Sequence, residues 1–442
     1  MNPILRYMKK SAPKPGPVSD IQDKISLWSA MYQNHSPWLT EEVTGLGLPS
    51  AISAEFARLV TIEMKTTICG SERADYLNNT YQNIIDQARR FTETACAKGS
   101  VILKPYVRGN NIYIDYIEPE DFIPLSFDGD GNITSAAFCD RIYRDDYVFT
   151  RIEEHTLSDQ YIITNKAFKS SSSTELGTEI PLEQVKEWAE LKEYAEVTGI
   201  NKPLFAYFKM PFGNIFNSDS PLGISVYARA VDLIKDADIQ YSRLLWEYES
   251  GKRALFIDQS AVTRDKFGRK IIPDTRLYRM LSTEDDTLFK DWTPELRYSE
   301  LNSGLNRILR SIEFNTGLAY GTLSDVQFSD KTAEEIRASK QRSYATITDI
   351  QGALKKALTH LVYAMNIWCS IYNLAPEGDY VINFDFDDSI VSDRTQEFSE
   401  KKQLVEMGIM MPWEFRMWYL GEDEDFARKR ITENNNRKDL KL

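Results

Sequence analysis

Three carboxylates, Asp385, Asp387 and Asp388, end what reads as a β-strand. Carboxylates this close together can hold a divalent ion and support hydrolysis of a phosphodiester. They stand alone: no His-Glu-x-x-His pattern accompanies them, the three histidines His35, His155 and His360 are far apart, and residues 389–393 read as the start of the next helix. The turn from Asp128 to Asn132 imitates a calcium loop but fails its spacing. Counted from Asp128, the sixth position is Ile133 instead of glycine and the twelfth is Cys139 instead of glutamate, so the segment reads as a plain β-turn. A phosphate-cradling loop is missing too, because Gly251 and Lys252 are followed by Arg253, and Trp246 stands where the first glycine belongs. The four cysteines, Cys69, Cys96, Cys139 and Cys369, are scattered without a Cys-x-x-Cys, which suits reduced, mostly buried thiols. Each histidine is expected to play a structural part. The expectation is a protein that is not an enzyme and carries no metal or cofactor. A metal-dependent hydrolase or nuclease using Asp385, Asp387 and Asp388 is the competing reading.

A chain of 442 residues has room for about three domains. Lys plus Arg is 53 against 66 for Asp plus Glu, a formal net charge of -13. That balance argues against a protein clamping nucleic acid over its whole surface, though not against one that surrounds it. The N-terminal stretch lacks the apolar core of a signal peptide, and no segment approaches the roughly 18 uncharged apolar residues of a membrane span. A soluble protein made in a cytoplasm is expected.

The elements that would position any site begin with helices. Ser19 or Asp20 can cap one through Trp28 and Met31; a second starts near Ser50; a third, over residues 74–98, carries Leu77, Tyr81, Ile84, Phe91 and Ala95 and stops at Gly99. From Ser100 the period changes to two. Residues 101–107 and 112–117 flank a Gly-Asn-Asn turn as a hairpin, and further short strands follow through Ile163. Residues 181–191 read as a short helix and 203–212 as a strand. Ser220 and Pro221 then predict the start of a long helix with Val226, Ala230, Leu233, Ala237, Tyr241, Leu244 and Tyr248 on one face and Arg229, Asp232, Lys235, Asp236 and Arg243 opposite. Residues 254–292 lose helical periodicity; 254–257 and 275–281 look like strands about a charged turn containing Arg264, Lys266, Arg269 and Lys270. Thr293 and Pro294 predict another helix, with Leu301, Leu305, Ile308 and Ile312 on one face.

After a loop from Leu318 to Asp330 comes the longest periodic run. Ile347, Ile350, Leu354, Leu358, Leu361, Met365, Trp368 and Tyr372 form one stripe, and Thr332 with Glu335 makes a capping box. A continuous helix over 332–373 would be on the order of 60 Å long, with Gly352 as the place for a bend.

This ordered set resembles the portal protein, or head-to-tail connector, of tailed double-stranded DNA phages, and is closest to the branch found in siphophages and prophages of Gram-positive hosts. The resemblance rests on residues 203–211, on 217–230, on the helix, insert, helix, loop, long-helix order from Leu222 to Asn373, and on 404–421 with its helix, Gly-Ile turn, helix and Arg416. It implies an α+β portal fold that forms rings: a wing over 1–220, stem helices over 221–252 and 294–317, a small α/β clip over 253–293, a tunnel loop over 318–330, a long wing helix and returning strand over 331–388, and a short helical crown over 389–442. It also implies a dodecameric homo-oligomer at one capsid vertex of the virion, assembled in the host cytoplasm. Double-stranded DNA would pass through it independently of sequence. The implied partners are the terminase large subunit, a head-completion adaptor, and scaffold and major capsid proteins, without a membrane. A non-conducting ring adaptor or minor capsid protein is the remaining alternative.

The composition suits a conduit. Each basic residue that neutralises a phosphate adds affinity, and a ring multiplies every contact, so DNA slides best past few cations. Leu323, Ser324, Asp325, Val326, Gln327, Phe328 and Lys331 are the expected channel residues, touching backbone without reading bases. Taken by composition alone the segment is a connector, but it exceeds the usual helix-helix connection of about 2 to 8 residues. Arg229 and Lys235 are candidates for the stem channel, or for ion pairs between subunits with Asp232, Asp236 and Asp238. Arg264, Lys266, Arg269 and Lys270 are candidates for docking at the clip, or an ordinary polar hairpin tip.

Overall fold

The computed structural model of the chain describes residues 18–218, 220–251, 254–258, 266–267, 278–281, 289–292, 295–325, 333–386, 394–420, 423–424 and 426–431. It divides into two units, Met1–Ile62 with Thr66–Phe384, and Glu63–Lys65 with Asp385–Leu442.

The described chain opens with α1 (Val18–Tyr32), α2 (Leu48–Thr61), β1 (Met64–Cys69), α3 (Glu72–Ile85) and α4 (Ala88–Lys98). The single helix predicted over 74–98 is thus two. The chain turns at Asp86 and Gln87, where the Gln87 amide bonds to the Ile84 carbonyl at 3.0 Å. Periodicity could not show the break because the buried stripe continues through it, from Leu77, Tyr81 and Ile84 to Phe91 and Ala95. Strand β1 is a further element that the apolar pattern did not show.

Strands β2 (Ser100–Arg108) and β3 (Asn111–Ile117) form the predicted hairpin; β10 (Ala206–Lys209) adds antiparallel to β2. A second, six-stranded sheet contains β4 (Phe122–Phe127), β5 (Ile133–Arg144), β6 (Tyr147–Leu157), β7 (Tyr161–Ser170), β8 (Thr178–Ile180) and β9 (Tyr194–Val197), the last two both pairing with β7. Asp128 caps the turn between β4 and β5. Its Oδ1 accepts from the amides of Asp130 and Asn132 and its Oδ2 from the Asn132 side chain, and these bonds lower its pKa. Ile102, Phe122, Ile133, Ala136, Phe138 and Phe205 join the two sheets in one core. The helix predicted over 181–191 is a 3-10 turn at Leu182–Gln184 followed by turns, held down by buried Trp188.

A larger correction concerns Pro221. No helix begins there; residues 221–227 are non-helical and 222–227 run buried beneath α4, with the Val226 amide and the Ser225 hydroxyl both donating to the Cys96 carbonyl. The path is close-fitting, since a Cβ on Gly223 would lie 2.2 Å from the Gly99 carbonyl oxygen. After a 3-10 turn at Ala228–Ala230, α5 runs over Val231–Ser250. Its buried face is Ile234, Ala237, Asp238, Leu244 and Glu247; of the predicted stripe Ala237 and Leu244 are buried, Leu233 and Tyr241 are half-buried and Tyr248 is exposed. Two carboxylates lie on this face. Asp238 accepts from Trp38 Nε1 and the Leu46 amide, both at 2.8 Å. Glu247 receives the Arg297 amide at 3.0 Å and Arg297 Nη2 at 2.8 Å, which lowers its pKa and caps the following helix from outside.

Between the helices, β11 (Ala254–Asp258) pairs parallel with β12 (Tyr278–Leu281) and antiparallel with β13 (Phe289–Trp292). Helix α6 spans Tyr298–Thr316, and α7 spans Ala333–Ile371, 39 residues without interruption at Gly352. The predicted stripe is the buried one: Ile347, Ile350, Leu354, Leu358, Leu361 and Met365 are at most 1% exposed, whereas Tyr372, beyond the helix, is exposed. His360 Nε2 donates to the Pro203 carbonyl at 2.8 Å, and burial lowers its pKa. His155 is likewise a buried structural residue, but His35 is exposed. All four cysteines are free; three are buried and Cys69 is exposed. Strand β14 (Val381–Phe386) pairs with β1.

In the second unit, α8 (Arg394–Glu406) and α9 (Pro412–Leu420) flank the predicted Gly-Ile turn. Phe398 packs edge-on to Phe415 at 5.4 Å between ring centroids, and Lys401 lies 4.2 Å from the Trp418 ring.

Candidate functional site

Helix α6 ends at Gly317 in a left-handed conformation, φ 84°, its amide bonded to the Glu313 carbonyl. Glycine is required twice over there, for that φ and because a Cβ would lie 2.6 Å from Thr346 Oγ1 on α7. The chain then folds back along α6. Leu318 is fully buried, and the Thr322 amide closes a turn onto the Ala319 carbonyl.

Glu313, with 0% of its surface exposed, is the centre of this segment. Its Oε1 accepts from the amides of Gly321 at 3.0 Å, Leu323 at 2.7 Å and Ser324 at 2.9 Å; its Oε2 accepts from Ser324 Oγ at 2.8 Å. A carboxylate is an acceptor only, and four converging donors compensate its burial. Two helical turns earlier, Asn306 exchanges a pair of bonds with Asp325: the Asp325 amide donates to Oδ1 at 2.8 Å and Nδ2 donates to the Asp325 carbonyl at 3.3 Å. Arg310 Nη2 reaches the same carbonyl at 3.4 Å. From Gly321 to Asp325 the loop therefore runs back from Glu313 to Asn306, about 10 Å along the helix axis. From α7, Arg342 covers the rings of Phe314 at 4.6 Å and Tyr320 at 5.1 Å, so both helices hold the same segment.

This arrangement divides the expected channel loop. Ser324 is buried against Glu313 and Leu323 is half-buried; both belong to the anchored root and do not lie on a free tip. Asp325 is exposed. Val326, Gln327, Phe328 and Lys331 lie outside the described residues. Arg229 is exposed on the 3-10 turn ahead of α5, not on the helix, and Lys235 is exposed on α5 itself. Asp232 and Asp236 are exposed as well, but Asp238 is buried under Trp38 and Leu46 and is not available to pair with another subunit. At the insert, Lys266 is exposed, while Arg264, Arg269 and Lys270 lie outside the described residues.

Sequence reasoning missed Glu313, Asn306 and Arg342. A signal existed: Asn306 and Glu313 sit seven apart, next to the apolar Leu305 and Ile312, so two polar side chains share the buried face. Gly317 and Gly321 follow at once, where exposed backbone amides can meet a buried acceptor. Of the carboxylates first considered for chemistry, Asp385 is exposed at the end of β14, and Asp387 and Asp388 lie outside the described residues. Among the described residues no three His, Cys, Asp or Glu side chains are placed to hold a metal ion, and no helix is long and apolar enough to cross a membrane.

Comparison with known proteins adds a family. The model of the family described as phage portal protein, SPP1 Gp6-like, matches residues 63–428, more than three quarters of the chain. No curated protein matches. Among solved structures, a chain of "Neck of native GTA particle computed with C12 symmetry" is similar at 10% identity, with a TM-score of 0.41 over 94% of this chain and 98% of that one.

Proposed function

The chain belongs to the SPP1 Gp6-like family of phage portal proteins, and from that premise we propose that it closes into a dodecameric ring at one capsid vertex and conducts double-stranded DNA during packaging and ejection. In this reading α5 and α6 are the stem, and the sheet of β11, β12 and β13 belongs to the clip that docks the terminase large subunit and later the head-completion adaptor. Residues 318–330 are the tunnel loop, α7 is the strut that crosses the wing, and the residues from 389 form a short crown. Scaffold and major capsid proteins would meet the ring from outside. The protein is not an enzyme in this scheme; hydrolysis of ATP belongs to the motor.

The observation that carries the reading is the family match joined to the anchored loop between α6 and α7. Both helices hold the loop root in one place, as a fixed constriction needs. The described root from Gly317 to Asp325 contains no lysine or arginine, and the chain as a whole carries a net charge of -13. Few cations at the constriction keep phosphate affinity low, and a ring multiplies whatever affinity one subunit has. Deleting residues 326–330, beyond the anchored root, is expected to leave rings that assemble, seen as annuli by negative-stain microscopy, but that package or retain DNA poorly in proheads built on them. Normal packaging by that deletion would remove the loop from the mechanism. A monomer or dimer in place of an annulus would remove the conduit altogether.

A further inference from the structure

We infer that Glu313 is a positioning residue for the channel loop, acting on the DNA path without touching DNA by fixing where the loop leaves α6. The inference rests on the portal reading above and names the side chain on which loop placement depends. Three backbone amides and one hydroxyl, all from Gly321, Leu323 and Ser324, converge on a carboxylate with no exposed surface. From Gly317 to Asp325 the segment contributes one fully buried apolar side chain, Leu318, so the conformation of this root follows from polar contacts more than from packing. Asn306 continues the same track by pairing with Asp325 in both directions. Removing the carboxylate strands the buried amides, whereas a glutamine keeps an oxygen for them and turns its NH₂ toward Ser324, whose hydroxyl can accept as well as donate.

The test uses full-length rings carrying Glu313→Ala or Glu313→Gln, followed by hydrogen exchange and by packaging. In Glu313→Ala, amides in the 321–324 peptide should exchange roughly tenfold faster or more while the rest of α6 and α7 keep their protection. Packaged DNA should fall in parallel, and Glu313→Gln should recover most of both. If Glu313→Ala prevents assembly, Ser324→Ala, which removes one donor, is read by the same two measurements against Glu313→Gln. Unchanged exchange in 321–324 overturns the inference. So does faster exchange with normal packaging when the 326–330 deletion is impaired, because the loop would then matter but its anchor would not. If the deletion itself packages normally, the loop reading fails first, and the positioning role falls with it.

Discussion

At the level of single residues, buried charges are placed by named partners. On the large sheet, Glu153 accepts from His155 Nε2 at 2.6 Å and is bridged by Lys104 at 2.6 Å and Arg151 at 3.0 Å. Burial alone would raise its pKa, but Lys104, His155 and Arg151 hold the carboxyl well below its usual range. Since Glu153 is ionised, His155 Nε2 must carry the proton; Nδ1 then accepts from the Tyr161 hydroxyl at 2.7 Å, which in turn accepts from the Leu204 amide at 2.9 Å. A second proton on the ring would have to displace the Tyr161 donor. Burial accordingly lowers the His155 pKa. Both groups have folded-state pKa values below their unfolded ones, so their stabilisation is present above the unfolded values and is lost as pH falls through the folded ones. Melting temperature should drop from pH 7.5 to 5.5, the range just around an ordinary histidine near about 6.5. His155→Phe should melt lower at pH 7.5 yet show a flatter slope over that range. An equal slope in both proteins would assign the acid sensitivity elsewhere.

Among elements, the most exacting fit is where the chain enters the first long helix. Gly99, at φ 91°, and Gly223 bring two backbones together so closely that a Cβ on either meets the other's main chain. Gly223→Ala should cost roughly 1–3 kcal/mol, measured as a shift of the denaturant midpoint without a change of slope. This is also where the sequence misled. Ser220-Pro221 has the chemistry of a helix start, and the residues after it are apolar at helical spacing; they are apolar because they are buried on every side, which periodicity alone cannot separate from a helix. Elements with a turn signal or a clear period were legible: the hairpin of β2 and β3 about its Gly-Asn-Asn turn, the alternating strands β6 and β7 of the large sheet, and the stripe from Ile347 to Met365 on α7. The candidate site was legible only as a loop of unusual length between two helices. Its internal order was hidden because Glu313 and Asn306 act on backbone amides, which leave no side-chain pattern in the loop they hold.

For the whole molecule, the proposed conduit makes net charge the quantity to test. A chain with net charge -13 whose anchored loop root lacks cations should retain duplexes of different sequence equally when assembled into rings. The salt slope of that retention should correspond to one or two phosphates, well short of the 6–10 of a protein that clamps DNA. A steep slope or a sequence preference, measured by co-sedimentation of rings with labelled duplexes, would contradict a passive conduit. The length of α7 has a mechanical consequence of its own. Its later part is clamped by the buried stripe, by the bond from His360 to Pro203 and by the contacts of Arg342 with Phe314 and Tyr320, leaving the stretch from Arg342 back to Ala333 as an arm of about 14 Å. A tilt of about 10° at that pivot moves the arm's end by roughly 2 Å, more than half the spacing of neighbouring Cα atoms. In the proposed portal reading, rotation too small to disturb the packed core can therefore shift Ala333, where α7 begins, by about 2 Å, while Glu313 keeps the root at Gly321–Ser324 still.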